Sequence, residues 1–502
     1  MAMAEDRSPS AAVARDAGAR AEPGCSFLLA TTVALLIARL PLMAVRQFDN
    51  DEFEHAHAAW SLFRGLLPYR DFFEHHTPWY YFLLAPFFRW FAVDQSFESA
   101  RHFLIFGRVL SFAMTVLATL LVFLLGRLAA TRRVGLLAAL FFVGQPMLIH
   151  KTLEIRPDVP ALLFFTGALW CLRHGLRAAD RGPRHVVWFA GGGLCLGAAV
   201  MCTQKLLFVL PGTALGLALW VVAGGRRAWL TRGAALLVVG AGLLLPPAAT
   251  WVGFALHDGA RQFVFNNFIL NAHWRVRSGR HLSNALITSW PILLLAAAGV
   301  RAALFRRDGR QGRDEDRDPG DVLFLCIFAG VAAGIAVVPA AYEQYYLPLL
   351  TIACLFAARG LNDLLNASRH HGRAWLVVAA TLPLLIWPIV DLCRGFARRG
   401  EVVMARVQFV YAHTRPTDIV LDGWLGTGVF RPAASYYYFI HSELWAMLTP
   451  AQKAAYVDAL TSGRVRPALV TLDDELRAIG PRFMQWLHQN YASDDGVFYL
   501  PR

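Results

Sequence analysis

About eleven apolar stretches, each near the ~20 residues that cross the hydrocarbon core of a bilayer, divide this chain and leave it few ways to fold. They fall roughly at 26–46, 103–128, 134–150, 158–175, 186–203, 206–223, 233–256, 284–304, 321–340, 346–361 and 374–392. Backbone groups in hydrocarbon must find their partners within the segment, so each stretch is expected to be a helix. The expectation is an all-α polytopic membrane protein with a small C-terminal α/β domain. Of 502 residues, 56% are hydrophobic and 17% charged, whereas a soluble domain carries about a quarter charged. Repeated spans leave little room for a large soluble enzyme, so any chemistry must use loops, span ends and one modest tail.

Residues 1–25 are polar and small, and are expected to form a disordered cytoplasmic N-terminus. The block that follows lacks a small-x-small cleavage site and reads as an uncleaved first span. Gln204 and Lys205 alone separate the fifth and sixth stretches, which therefore form a tight hairpin. The formal net charge of +13 rests on 48 basic residues, of which only Lys151, Lys205 and Lys453 are lysine. Most of this charge sits in short loops between apolar blocks, a pattern of membrane orientation and not of nucleic-acid binding. Basic loops at Arg132–Arg133, 173–185, 226–232, 301–317 and 359–373 alternate with sparsely charged ones. The alternation places the N-terminus in the cytoplasm and the tail outside, in a multi-pass protein of the cell (inner) membrane. One outer segment, 257–283, breaks the rule with Arg261, Arg275, Arg277 and Arg280, a cluster suited to an anion. The seven cysteines show no C-x-x-C spacing, so neither a disulfide framework nor a zinc motif is indicated.

Two regions are not spans. The outer loop 47–101 contains the aromatic run Trp79–Trp90, too short to cross and expected to lie along the interface. The tail, 395–502, reads as a small extracytoplasmic α/β domain, with strands at 418–422 and 467–472 and helices at 450–460 and 481–491.

Five polar clusters carry candidate chemistry. The densest, Phe48–His57, holds Asp49, Asp51, Glu52, Glu54, His55 and His57. On a helix starting near Asp51, Glu54 and His55 share its face. Helix capping explains one of these acids, not four. The second cluster is Tyr69–Pro78, with Glu74, His75 and His76. Adjacent histidines bind metals, but a pair without a spaced third ligand does not mark a site, and no metal or cofactor is expected. The third is Glu154-Ile155-Arg156-Pro157-Asp158, where an ion pair at a membrane boundary competes with a site role. The fourth is Thr203-Gln204-Lys205, whose ammonium either snorkels or meets a phosphate. Tyr342–Tyr346, including Tyr345, is the fifth, and an aromatic belt is its plain explanation.

All five clusters are expected on one side of the membrane. Carboxylates for proton abstraction then lie beside cations for a phosphate, a set suited to moving a group from a phosphate to a hydroxyl. Nucleotides are scarce outside the cytoplasm and no nucleotide motif appears, so the donor is expected to arrive through the bilayer on a polyprenyl phosphate.

Asp51-Glu52 after the first span, followed by Gly65-x-x-Pro68-Tyr69-Arg70-Asp71-Phe72-Phe73-Glu74-His75-His76-x-Pro78, resembles bacterial members of glycosyltransferase family 39. Arg156-Pro157-Asp158, Gln204-Lys205 and Tyr345-x-x-Pro348 also fit. That family belongs to the GT-C superfamily, with protein O-mannosyltransferases and lipid A aminoarabinose transferases. The resemblance covers roughly 26–392 and implies a GT-C fold and inverting transfer from a polyprenyl-phosphate sugar to a lipid, glycan or protein of the cell envelope. It places the catalytic base on Asp51, with Glu52 beside it and Asp49 also available. The family's basic–Pro–Pro stretch falls on His76-Thr77-Pro78, with Thr77 in place of the first proline. Donor phosphate contacts are expected from Lys205, Arg156, His76, Arg275 and Arg277, and sugar or acceptor contacts from Glu74, His75, Asp158 and Tyr345. The rival is a transporter or flippase of a lipid-linked or anionic substrate, whose ionisable groups belong near the midplane.

Overall fold

A computed structural model describes residues 24–179, 182, 184–274, 280–305, 318–338, 341–370 and 374–502. Residues 1–23, Arg275, Arg277 and most of the basic loop at 301–317 lie outside this set. Ten helices among the described residues are long and apolar enough to span a membrane: Cys25–Val45, Phe97–Ala129, Asp158–Ala178, His185–Cys202, Gln204–Ala223, Ala228–Ala255, His281–Phe305, Pro319–Val337, Glu343–Ser368 and Val377–Ala397. The chain is a multi-pass membrane protein.

The expected span at 134–150 is not among them. It divides into Arg132–Gly144 and Pro146–Lys151 because Pro146 has no N–H with which to continue the first helix. Gln145 caps the second piece by accepting from the Met147 N–H at 2.6 Å. This break turns the chain before Glu154–Asp158 and delivers that segment to the site.

Glycines set how closely the spans approach. A Cβ on Gly299 would lie 1.9 Å from the Phe356 carbonyl oxygen, and one on Gly360 would lie 2.2 Å from that of Leu295. The helices Arg280–Phe305 and Leu347–His370 therefore touch backbone to backbone, as small residues permit in membranes. Beside this crossing, Leu286, Ser289, Leu293, Phe328, Ala332 and Leu350 line an apolar cavity of about 660 Å³. Its lining includes Tyr346, the last residue of the fifth polar cluster.

The outer loop folds as the helix Asn50–Phe63, an irregular stretch, and the short helical turns Trp79–Leu84 and Ala85–Trp90. Its rings pack with the tail in a single core containing Phe53, Trp60, Phe88, Phe103 and Phe430. The tail joins that loop directly: Gln47 N–H donates to the Arg398 carbonyl at 2.9 Å and Gly400 N–H to that of Val45 at 3.0 Å. Strands β1 (Val420–Asp422), β2 (Leu469–Thr471), β3 (Tyr491–Ala492) and β4 (Phe498–Pro501) form a sheet in the order β1-β2-β4-β3. The β1–β2 pair is parallel and the others antiparallel. Helices Pro450–Thr461 and Pro481–Asn490 fall where the sequence placed them. The helix Glu401–His413 and the last two strands were not anticipated.

Candidate active site

The site begins with a helix cap. Asp49 holds an extended backbone and accepts from the Asp51 N–H at 3.1 Å, while Glu52 accepts from the Asp49 N–H at 3.0 Å. This capping box fixes where the Asn50–Phe63 helix starts and therefore which way its acids point. Three fates follow. Glu52 is fully buried in a bidentate pair with fully buried Arg108, at 2.6 and 2.8 Å, and also accepts from the Ile155 N–H at 3.1 Å. Its acceptor positions are filled. Asp49 and Asp51 keep 40% and 29% of their side chains exposed, so these two, not Glu52, face open space. Glu54, one turn further on, is buried and faces His75 Nδ1 at 3.9 Å.

Arg156 is the hub. Almost fully buried, it contacts Asp51 at 2.5 Å, Glu154 at 2.9 Å, Asp158 at 3.6 Å and Asp49 at 3.9 Å. Glu154 binds Arg46 at 2.8 Å and Lys151 at 3.2 Å as well. Asp158 continues the chain of charge to Lys205, at 3.0 Å. The Lys205 ammonium in turn sits 5.4 Å from the Tyr345 ring centroid. Carboxylates from the first loop and cations from two other span junctions thus form one connected network.

The segment Glu74–Pro78 forms the opposite wall. Tyr69 is buried with φ 70°, a left-handed conformation that costs energy in a bulky residue, and its hydroxyl donates to the His76 carbonyl at 2.6 Å. Fully buried Glu74 accepts from the His75 and His76 N–H groups at 2.8 and 2.9 Å and pairs with His76 Nδ1 at 2.9 Å. Gln204 and Asn271 both donate to the His75 carbonyl, at 2.9 and 2.8 Å. His75 stacks on Trp274, with centroids 5.2 Å apart.

Charge and burial pull the acids apart. Burial, with help from Glu154 and Asp51, pushes the Asp49 carboxyl up to about 6. For Asp51, burial pushes the same way, but Arg156 and Lys151 outweigh it and hold the carboxyl below its ordinary value. Burial drives Glu54 well above the carboxylate range, and Glu74 and Asp51 add to the rise. Burial also pushes the His55 and His75 imidazoles well below their ordinary value. The four cations Arg46, Lys151, Arg156 and Lys205 are shared among Asp49, Asp51, Glu154 and Asp158, while Glu54 and Glu74 face the histidines His75 and His76.

The structure brings together Asp49, Asp51, Glu74, His75, His76, Arg156, Asp158, Lys205 and Tyr345. It places Glu52 behind them in its pair with Arg108. Sequence reasoning missed the contribution of the tail. Tyr438 donates to Glu74 at 3.1 Å and stacks on His57, with centroids 4.5 Å apart. Glu443 accepts from Trp274 Nε1 at 2.8 Å and from the Tyr342 hydroxyl. The run Tyr436-Tyr437-Tyr438-Phe439 is the one signal in the sequence that marks this strap.

Residues 75–251 match the family described as dolichyl-phosphate-mannose-protein mannosyltransferase. No curated protein matches the chain. Among solved structures, ArnT from Cupriavidus metallidurans bound to undecaprenyl phosphate is similar, with a TM-score of 0.64 and 12% identity over 96% of this chain and 98% of that one. The oligosaccharyltransferase AglB from Archaeoglobus fulgidus, in complex with an inhibitory peptide and a dolichol-phosphate, is similar with a TM-score of 0.57 and 15% identity, over 95% of this chain and 74% of that one. The likeness over nearly the whole chain establishes the GT-C fold.

Proposed function

We propose that this GT-C chain is a membrane glycosyltransferase. It moves a sugar from a polyprenyl-phosphate donor to a hydroxyl acceptor at the extracytoplasmic face, with inversion. The observation that carries the reading is the Arg156 hub, which ties a partly exposed acid, Asp51, to a lysine at the top of a helical hairpin. The partial family match supports the class of reaction, and the ArnT structure, bound to undecaprenyl phosphate, supports the class of donor.

The donor's lipid lies in the cavity beside Leu293 and Phe328, whose size is within the range of ligand pockets, about 300–1,000 Å³. Its phosphate reaches past Tyr346 and Tyr345 to Lys205. That ammonium is bound to Asp158 at 3.0 Å, so the phosphate exchanges places with, or shares the cation with, this carboxylate. A compact ammonium suits a phosphate as a point charge. Arg156 supplies the second positive centre. Arg275 and Arg277 are proposed to join from the outer segment, and His76 lies on the opposite wall.

Asp51 accepts the proton as the acceptor oxygen attacks the anomeric carbon. The C–O bond to the phosphate breaks on the far side, and the leaving phosphate keeps the bonding pair near Lys205. Arg156 keeps Asp51 ionised and fixes its direction, so the base is oriented before the acceptor arrives. Glu74, His75 and Tyr345 shape the sugar site, and Glu52 acts as a positioning residue through Arg108. The transporter reading fits less well. The charged groups linked to Arg156 come from loops or from the first turn of a span, as Asp158 and Lys205 do; Arg108, which lies within a span, is spent on its pair with Glu52.

The test uses purified protein in lipid nanodiscs with a polyprenyl-phosphate sugar and an extract of envelope acceptors. Asp51→Asn and Lys205→Ala should each lower turnover by about 10²-fold or more. Full activity in both variants defeats the assignment. Donor moved across the membrane without consumption establishes transport instead.

A further inference from the structure

His75 and His76 lack a third metal ligand in sequence, and the fold supplies two. Glu74 lies beside them in the same loop, while Glu54 arrives from the Asn50–Phe63 helix. The ligand atoms that these four side chains offer all lie within 4.8 Å of one another. We propose that Glu54, Glu74, His75 and His76 form a binding site for one divalent transition-metal ion of the zinc class, beside the Asp51–Arg156 centre.

Several independent observations carry this. Glu54 is buried and stands 20 residues before the rest of the group in sequence, and its contact with His75 Nδ1, at 3.9 Å, is too long for a good hydrogen bond. The Nδ1 of His75 is buried and has no hydrogen-bond partner. An unpaired imidazole nitrogen inside a protein is costly, and a cation held between it and the Glu54 carboxylate satisfies it. The donor set of two imidazoles and two carboxylates suits zinc, whose ligands include histidine nitrogen and carboxylate oxygen at about 2.0–2.2 Å. Tetrahedral binding at that radius needs ligand atoms about 3.3 Å apart, so the cradle contracts by roughly an ångström as it fills.

The surroundings hold the group in place. Glu74 is oriented by the N–H groups of His75 and His76 and by the Tyr438 hydroxyl, and His75 is held flat against Trp274. Such outer contacts are what fix ligands at metal centres. The inference stands on these contacts and does not depend on the transfer reading.

The experiment measures metal alone, on untagged full-length protein in nanodiscs, stripped with a chelator and dialysed against ZnCl₂. Elemental analysis after desalting should find one zinc per chain, and CoCl₂ in its place should give the intense visible bands of a four-coordinate site. The double variant Glu54→Gln/His75→Asn should lose both signals, while His413→Asn, altered at an exposed histidine remote from the cradle, should keep them. Should the double variant fail to fold, His76→Asn in the same assays serves, with at least a tenfold weaker zinc affinity expected. No retained zinc in the wild-type protein, or zinc retained unchanged in the cradle variants, overturns the site; in the first case Glu54 carries a proton instead. Zinc bound stoichiometrically by an Asp51→Asn protein that has lost transfer separates this site from the catalytic reading.

Discussion

Glu52→Gln separates an acid that does chemistry from one that builds the site. Glu52 receives four donors: Arg108 at 2.6 and 2.8 Å, the Asp49 N–H at 3.0 Å and the Ile155 N–H at 3.1 Å. The substitution removes the one carboxylate paired with Arg108 among the described residues, whose remaining contacts are the carbonyls of Met43, Arg46 and Gln47 and the face of Phe48, 3.6 Å away. It also turns an NH₂ toward groups that can only donate. Breaking a buried pair from one side costs about 3–5 kcal/mol. At about 1 °C per kcal/mol for a chain of 502 residues, the melting midpoint in nanodiscs should fall by about 3–5 °C. Asp51→Asn, by contrast, leaves Arg156 paired with Glu154 and should melt within a degree or two of wild type while losing transfer. The reasoning is refuted if Glu52→Gln melts with the wild type, and more so if it is inactive at unchanged stability, since Glu52 would then act on substrate.

The pH profile distinguishes the two half-buried acids, Asp49 and Asp51. Asp49, pushed up to about 6, gains its proton before Asp51, which Arg156 holds ionised. If Asp49 were the base, kcat/KM would fall about tenfold per pH unit below that value; with Asp51 as the base, Asp49→Asn keeps the helix cap and most of the wild-type rate at neutral pH. Filling the apolar cavity with Leu293→Trp should raise the KM for the lipid donor several-fold while the acceptor KM holds, in steady-state assays varying each substrate. Gly360→Val should sharply lower the yield of folded protein in detergent, because a side chain there meets the Leu295 carbonyl at 2.2 Å; a normal yield would show that the crossing can open.

Hydropathy made the spans legible because their pattern is set locally, by residues that must all be apolar over one bilayer thickness. It failed at 134–150, where one proline outweighed composition and split the stretch in two. In the tail, the two parallel strands were visible as short β-branched runs, while the last strands, two and four residues long, carry no such run. At the site, the loop motifs named most of the residues that meet. Glu52 and Asp51 are neighbours in sequence and equal in chemistry, however, and only the 100° step between helix positions sends one to Arg108 and the other to Arg156. Nothing in the sequence announces those partners, 56 and 105 positions away.

The same helical step explains why the cradle around Glu54 was invisible while its histidines were not. Glu54 stands three residues beyond Asp51 and lies on the same side of the helix, so the geometry that aims Asp51 at Arg156 aims Glu54 at the Glu74–His76 loop. That loop reaches it only because Tyr69 turns the chain through a left-handed conformation and the tail's Tyr438 pins Glu74 from behind. Tyr69 and Glu74 find partners within their own loop, whereas Glu54 and Tyr438 reach it only when distant parts of the chain come together. A single-position change in the tail, Tyr438→Phe, should accordingly disturb a site assembled almost 400 residues upstream, seen as a weaker hold on zinc and a lower rate in the same nanodiscs.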